Sequence, residues 1–182
     1  MKSLQGQFLV AAPQLADVNF YKSVVLMIKH DEEGALGLIL NRPTDHRVGE
    51  VWKADGDDSV ECDQPIYFGG PVDGPLIALH RVKAAAESEV LPGLFFSADK
   101  EKLHQVASQS ARPFRFFVGY AGWAGGQLES ELSVGGWLTA KARKDLIFYQ
   151  GEDLWERVVR LIGEGILGAV KPKHIPDDPS LN

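Results

Sequence analysis

Two groups of residues in this sequence have types and spacing that could support chemistry. The first group lies in the N-terminal quarter of the chain and consists of Asp17, His30, Asn41 and Arg42. Asp17 or His30 would act as a general acid or base, with Asn41 polarising the substrate. Asn41 and Arg42 stand at a predicted strand end, where an amide beside a guanidinium can bind a carboxylate or phosphate. In the structural alternative, Asn41 closes a turn and Arg42 pairs with a carboxylate such as Asp17.

The second group is the glycine-rich segment 119–132, GYAGWAGGQLESEL, which contains Tyr120, Trp123 and Gln127. It predicts a turn between a strand and a helix, and a helix N-terminus can bind an anion. However, the glycines do not follow the dinucleotide fingerprint, no Walker motif is present, and the segment has no Lys or Arg. We therefore interpret the glycines first as positions where Tyr120 and Trp123 pack against neighbouring backbone.

Other kinds of site have little support. The five histidines (His30, His46, His80, His104 and His174) form no metal-binding motif, so we expect neither a metal nor another cofactor. No serine lies in a G-x-S-x-G motif, and Cys62 stands between Glu61 and Asp63, which disfavour a thiolate. Catalysis stays an open question, and we lean towards a protein that is not an enzyme.

The elements that must position these residues follow from hydrophobic patterning. Segments 23–29 and 35–40 predict two strands joined by a five-residue loop ending in Gly34, an antiparallel hairpin. Helices are predicted over 48–53, from 97 or 99 to about 108, over 125–132, and from Trp155 onwards. Strands are predicted over 137–140 and 146–149, among others. Grouped hairpins favour an α+β fold with a mainly antiparallel sheet over a doubly wound parallel one.

Composition limits the classes of function. The chain has 182 residues, of which 45% are hydrophobic and 24% charged, with a formal net charge of −6. This acidic balance disfavours a surface that attracts nucleic acid or anionic lipid. The densest apolar run, residues 24–28, is far shorter than the roughly 20 residues that cross a bilayer. No secretory signal is recognisable, and one cysteine cannot form an internal disulfide, so we expect a cytoplasmic protein without membrane contact.

Three ordered blocks resemble the AlgH/YqgE family of bacterial proteins. They are FLVAAP with the following segment up to Asn41-Arg42-Pro43, then FGGPV at 68–72, and finally the glycine-rich segment 119–132. The resemblance covers about residues 5–169 and implies one α+β domain, to which we assign residues 1–182. The tail at 170–182 lies outside the match, and its prolines predict that it is loosely held. The resemblance also implies a branched, mainly antiparallel sheet that includes a small closed barrel and is flanked by helices.

The resemblance implies no established activity. Some family members are labelled putative transcriptional regulators, but no helix-turn-helix is visible here, so direct DNA contact is the least expected function. Our first hypothesis is a regulatory binding module or adaptor acting through a small molecule or a protein partner. Its site would be Asp17, Asn41, Arg42, Tyr120, Trp123 and Gln127.

Two alternatives stay open. The second hypothesis is an enzyme with an acid/base site near Asp17, His30 and Asn41. The third is a protein–protein adaptor, for which a homodimer is one form, with exposed aromatic residues such as Trp52 or Trp123 at its interface.

Overall fold

The computed structural model describes residues 2–109 and 113–169, with side chains up to residue 166. The strands are β1 (Gln7–Ala11), β2 (Val24–Asp31), β3 (Gly34–Ile39), β4 (Pro43–Arg47), β5 (Pro65–Phe68), β6 (Ile77–His80), β7 (Ser88–Leu91), β8 (Leu94–Ser97), β9 (Phe114–Val118), β10 (Ala121–Ala124) and β11 (Trp137–Lys141). The α-helices are α1 (Val48–Ala54), α2 (Lys100–Ala107), α3 (Gln127–Ser133), α4 (Lys144–Ile147) and α5 (Leu154–Ala169), and a 3-10 turn covers Lys83–Ala85.

The strands form two sheets. The first has the order β10-β3-β2-β1-β11 and is antiparallel throughout, and the second has the order β4-β5-β9-β6-β8-β7. In the second sheet β5 and β9 are parallel, whereas its other neighbours are antiparallel. The predicted α+β fold with a mainly antiparallel sheet is therefore confirmed.

The small closed barrel that the resemblance implied is not found in the described part of the chain. A barrel closes when the two end strands of a sheet pair with each other. Here β10 pairs with β3 and β11 pairs with β1, so both stay at opposite edges of the first sheet. The second sheet likewise ends in the edge strands β4 and β7.

Alternating side chains divide the core into three clusters. On β1, Phe8 and Val10 belong to a cluster that also includes side chains of the second sheet and of α5, whereas Leu9 and Ala11 point to the opposite face. That opposite face packs against α3 through Leu128. A third cluster joins the second sheet to α1 and α2. The first sheet is consequently covered on both faces, as the period of two along a strand requires.

The chain passes between the two sheets at a junction where the three signature blocks meet. Ile39 donates its N–H to the carbonyl of Gly69 at 2.9 Å, and Gly69 donates to Val118 at 2.8 Å. Gly119, which links β9 to β10, has a φ of 68°, and a Cβ there would lie 2.5 Å from the carbonyl oxygen of Gly70. Only glycine fits a left-handed position with backbone this close.

Several element predictions are confirmed and one is wrong. The hairpin exists as β2 and β3, and its connection is shorter than predicted because the strands extend to Asp31 and start at Gly34. The strand predicted over 146–149 is wrong. Those residues begin in α4, where Ile147 donates to the carbonyl of Arg143, four residues earlier, at 3.1 Å. The tail predicted over 170–182 lies outside the described residues.

Within the described ranges, the helices are all too short or too polar to cross a membrane.

Candidate functional site

Asn41 and Arg42 hold the backbone of the loop that precedes β2. Asn41 donates from Nδ2 to the carbonyl of Lys22 at 2.8 Å and accepts the N–H of Val24 at Oδ1 at 3.0 Å. Arg42 donates from a terminal nitrogen to the carbonyl of Tyr21 at 2.8 Å. These contacts fit the turn-closing interpretation of Asn41, whereas the partner of Arg42 is a backbone carbonyl.

Asp17 lies at the start of the same loop. Its carboxylate accepts the N–H of Asn19 at 2.8 Å, and its carbonyl accepts the N–H groups of Phe20 and Tyr21. A short polar side chain that bonds to backbone two residues later stabilises a turn. The structure therefore brings Asp17, Asn41 and Arg42 to one loop, and each of them contacts its backbone.

His30 belongs to a different set of contacts. Its Nδ1 accepts the N–H of Leu4 at 3.0 Å, and its Nε2 lies 2.8 Å from a carboxylate oxygen of Glu129. Because Nδ1 accepts the N–H of Leu4, the tautomer assigned from these contacts has its N–H at Nε2, which donates a hydrogen bond to Glu129. This pair, in which His30 is buried and Glu129 is partly exposed, joins β2 to α3, and its hydrogen bonds involve neither Asp17 nor Asn41.

The carboxylate of Glu131 accepts three side-chain hydrogen bonds, and sequence reasoning missed this role. The donors are the indole N–H groups of Trp123 at 3.0 Å and Trp137 at 2.8 Å, and the amide of Gln127 at 3.0 Å. The ring of Phe20 contacts both indoles. The sequence does contain a signal for this role. The indole N–H of a buried tryptophan needs an acceptor, and Glu131 lies one helical turn after Gln127, on the same face of the helix.

Trp52 and Trp123 are buried, so the prediction that they are exposed at an interface is wrong. Only 4% of Trp52 and 6% of Trp123 are exposed. Trp52 points from α1 into the second sheet, where its ring meets Phe116 edge-on. The helical position of Trp52 was predictable, but the sheet that covers it was not.

The edge strand β10 borders a groove of about 360 Å³ that includes Tyr120, Gly122 and Trp123. Both ends of this edge are covered. Val72 exchanges two backbone hydrogen bonds with Tyr120, and the side chain of Gln127 accepts the N–H of Ala124 at 3.1 Å. Such blocking is how native sheets prevent the addition of another strand.

None of the described residues pairs with the outer side of the opposite edge strand, β11. Ala12 donates to the carbonyl of Gly136 at 3.1 Å, and this pair continues the register in which Ala11 faces Trp137. Hydrogen-bonded and non-bonded pairs alternate in an antiparallel ladder, so the backbone groups of Trp137, Thr139 and Lys141 point away from β1. Within the described ranges these outward groups have no hydrogen-bond partner.

A groove of about 420 Å³ runs between the outer edge of β11 and the C-terminal half of α5. Its apolar surface comes from β1, α4 and α5, and includes Phe8, Leu146, Val158, Leu161 and Ile162. Gly165 also lines the groove, and a Cβ added there would have no heavy atom within 4 Å apart from its own helix. A cleft of this size with mostly apolar walls and few polar groups is typical of a binding site.

Two cationic residues, Lys141 and Arg143, belong to the same groove. Arg143 is engaged in a bidentate contact with Asp145, at 3.1 and 2.8 Å. Lys141 is exposed, and within the described ranges no carboxylate pairs with it. The groove is therefore apolar along its length and positively charged where β11 ends.

Metal binding has no support in the part of the chain that the structure describes, since no three His, Cys, Asp or Glu side chains there are grouped to hold an ion.

Comparisons with known proteins show which chains this one is similar to. A family model described as AlgH-like matches residues 8–166. A UPF0301 protein from Chlorobaculum tepidum is 41% identical over 165 residues, which cover 87% of this chain and 86% of the relative. A UPF0301 protein from Myxococcus xanthus is 38% identical over 168 residues, covering 90% of this chain and 93% of the relative.

Two solved structures are also similar to this chain. The solution structure of the AlgH protein from Pseudomonas aeruginosa has a TM-score of 0.74 and 34% identity, covering 96% of this chain and all of the other. The crystal structure of a protein from Corynebacterium diphtheriae has a TM-score of 0.72 and 27% identity, covering 88% of each chain.

Proposed function

The chain belongs to the AlgH-like family, whose function is uncharacterised, and from this premise we propose that it is a regulatory adaptor. It takes up an extended segment of a protein partner, which adds to the first sheet along the free edge of β11. The observation that carries this proposal is the open backbone edge beside the apolar groove under α5. Addition of a strand to an exposed sheet edge is a recurring mode of peptide recognition.

The backbone of β11 supplies the affinity in this proposal. Trp137, Thr139 and Lys141 direct their N–H and C=O groups outwards over a strand of five residues, roughly 17 Å long. A partner segment of similar length would satisfy these groups. β10, by contrast, is blocked by Val72 and Gln127, so the two edges of this sheet are not equivalent.

The groove supplies the specificity. In an added strand, alternate side chains point to the same face, so every second residue of the partner would enter the groove and contact Leu161 and Ile162. The positive charge of Lys141 favours an acidic residue or a terminal carboxylate at that end. The expected partner segment therefore alternates apolar and polar residues and carries a negative charge.

A displayed library of random heptapeptides tests this proposal. We expect the immobilised protein to enrich peptides with apolar residues at alternate positions and at least one acidic residue. The most enriched peptide, once synthesised, should bind in a fluorescence anisotropy titration. It should also slow hydrogen exchange at the amides of Thr139 and Lys141.

Two glycines of α5 provide a matched pair of variants. Gly165→Phe places a ring in the groove and should weaken binding of the peptide at least tenfold. Gly163→Phe lies on the same helix, also with open space around its Cβ, but it does not line the groove, so binding should be unchanged. Failure to enrich any peptide, or equal loss of binding in both variants, would contradict the proposal.

The ligand site predicted from the sequence stays a separate prediction. In its favour, Tyr120 and Trp123 line the 360 Å³ groove beside β10. A thermal-shift screen of metabolites and nucleotides tests it, because a ligand at about a hundredfold over its Kd adds roughly 2.7 kcal/mol of stability. A shift that Tyr120→Ala abolishes would support the site, and a flat screen would count against it.

A further inference from the structure

Arg115 is a buried cation on an inner strand of the second sheet. It lies on β9 and is 3% exposed. Its two terminal nitrogens donate to the carbonyls of Leu40 at 2.7 Å and Tyr149 at 2.8 Å, and its guanidinium stacks on the ring of Tyr67 at 4.1 Å. Arg115 thus links β9 to the end of the first hairpin and to the segment after α4.

The charge of Arg115 has no counterion among the described residues. Its contacts are two carbonyls and a ring, and none of the ion pairs in the described ranges includes it. Burial lowers the pKa of the Arg115 guanidinium to about 10, so it remains a cation at neutral pH. A buried charge without an opposite charge is costly, and two carbonyls use only two of its five N–H donors.

A cavity of about 110 Å³ adjoins this guanidinium and is lined by Arg115, Tyr67 and Gln150, among others. Tyr67 lines the same cavity, and within the described ranges its hydroxyl is not among the buried atoms that lack a hydrogen-bond partner, so the oxygen is accessible to a small ligand. Arg115, Tyr67 and Gln150 therefore line one small space, and none of its described lining residues carries a carboxylate.

We propose that this cavity is a binding site for a small oxyanion, a carboxylate or a phosphate. A water molecule occupies about 30 Å³ in the liquid, so the cavity holds roughly three to four waters or an anion of similar size. Water would satisfy the hydrogen bonds but would leave the charge of Arg115 uncompensated. An oxyanion does both, since its oxygens accept from the guanidinium and from the Tyr67 hydroxyl.

The site differs from the β11 groove in place and in chemistry. Leu40 leads out of the first sheet and Arg115 lies in the second, so an anion bound to Arg115 would strengthen the connection between the two sheets. We therefore expect occupancy to stabilise the folded chain without any effect on the edge of β11.

The test is an NMR titration of the full chain with sodium formate and, separately, with sodium phosphate at pH 7. Ionic strength is kept constant with sodium gluconate, whose anion is too large for the cavity. We expect saturable shifts of the Arg115 Nε–H signal with at least one of the two anions. Formate alone would identify a carboxylate site, and phosphate alone would identify a phosphoryl site.

Two conservative variants separate this site from general salt effects. Tyr67→Phe keeps the ring that stacks on Arg115 and removes only the hydroxyl, so the anion should bind about tenfold or more weakly. Tyr120→Phe, which lies outside the cavity, should bind as the wild type does. Shifts that increase linearly without saturation, or that are unchanged in Tyr67→Phe, would overturn the proposal.

Discussion

The side-chain amide of Asn41 holds the backbone of Lys22 in a left-handed conformation. Its Nδ2 lies 2.8 Å from the carbonyl of Lys22, the described non-glycine residue with positive φ, at 51°. Its Oδ1 accepts the backbone N–H of Val24, two residues after Lys22, at 3.0 Å. A strained backbone conformation persists only where its surroundings fix it, and here one amide does so from both sides.

Replacing Asn41 by alanine should lower the free energy of unfolding by about 2 kcal/mol, because both backbone groups lose a partner. Urea unfolding monitored by tryptophan fluorescence measures this loss. Gln14→Ala is the control, since its exposed amide makes one hydrogen bond, to Gly135, and should cost less than about 1 kcal/mol. Equal losses in the two variants would contradict the role given to Asn41.

Gly119 and Gly135 separate the cost of backbone conformation from the cost of close packing. Both have positive φ, 68° and 75°, but a Cβ at Gly119 would strike the carbonyl of Gly70, whereas a Cβ at Gly135 would have no neighbour within 4 Å. Gly135→Ala should cost roughly 1–2 kcal/mol from conformation alone. Gly119→Ala should cost clearly more or prevent folding, and a similar melting temperature for both would disprove close packing at the junction.

His80 should make stability depend on pH. Its ring is fully buried, with Nδ1 accepting the N–H of Val82 at 3.2 Å and Nε2 lying 3.0 Å from Ser97 Oγ. Desolvation lowers the pKa of His80 from 6.5 to about 4. The unfolded chain therefore binds an extra proton between these values, and the stability present above pH 6.5 is lost as pH falls towards 4.

The expected contribution of His80 is a loss of about 2 kcal/mol between pH 7 and pH 5. It is measured as the difference between the wild type and His80→Asn in urea unfolding at the two pH values. Asparagine still accepts the Val82 N–H but does not titrate. His46→Asn, at an exposed position, should keep the wild-type dependence, and an unaltered slope in His80→Asn would refute the assignment.

Proline substitutions on β11 should separate strand addition from folding. The N–H of Thr139 points outwards, so Thr139→Pro removes no hydrogen bond of the native ladder and should fold, while its binding of the enriched peptide is lost. The N–H of Ala140 faces β1, so Ala140→Pro should destabilise the sheet by about 3 kcal/mol or more. Peptide binding by a folded Thr139→Pro variant at wild-type affinity would exclude β11 as the site.

The sequence predicted those parts of the fold that depend on local patterning. The β2–β3 hairpin, the amphipathic α5 and the α3 helix were expected because hydrophobic period and turn residues lie close together along the chain. The strand β10 was missed because its glycines indicate a turn, and it becomes a strand only through pairing with β3. α4 was missed because a single helical turn leaves too few residues to show a period.

The candidate sites were less predictable because they depend on contacts distant in sequence. His30 and Glu129 are separated by 99 residues, and no local pattern relates them. The exposure of Trp52 could not be predicted either, because the residues of the second sheet that cover it are distant in sequence. The groove beside β11 is harder still to predict, because its position depends on where α5 crosses the first sheet. In that sheet, β1 and β11 are neighbours although they are far apart in sequence.

The open edge of β11 also limits what can be transferred between relatives. The segments that resemble the family, such as FGGPV at 68–72, form the junction between the two sheets. Their presence in a relative therefore indicates a similar fold. The docking edge that we propose for β11, by contrast, consists of peptide groups and requires no particular side chain at Thr139. In the proposed mode of binding, the choice of partner therefore depends on the side chains that line the groove, among them Leu161 and Ile162 of α5.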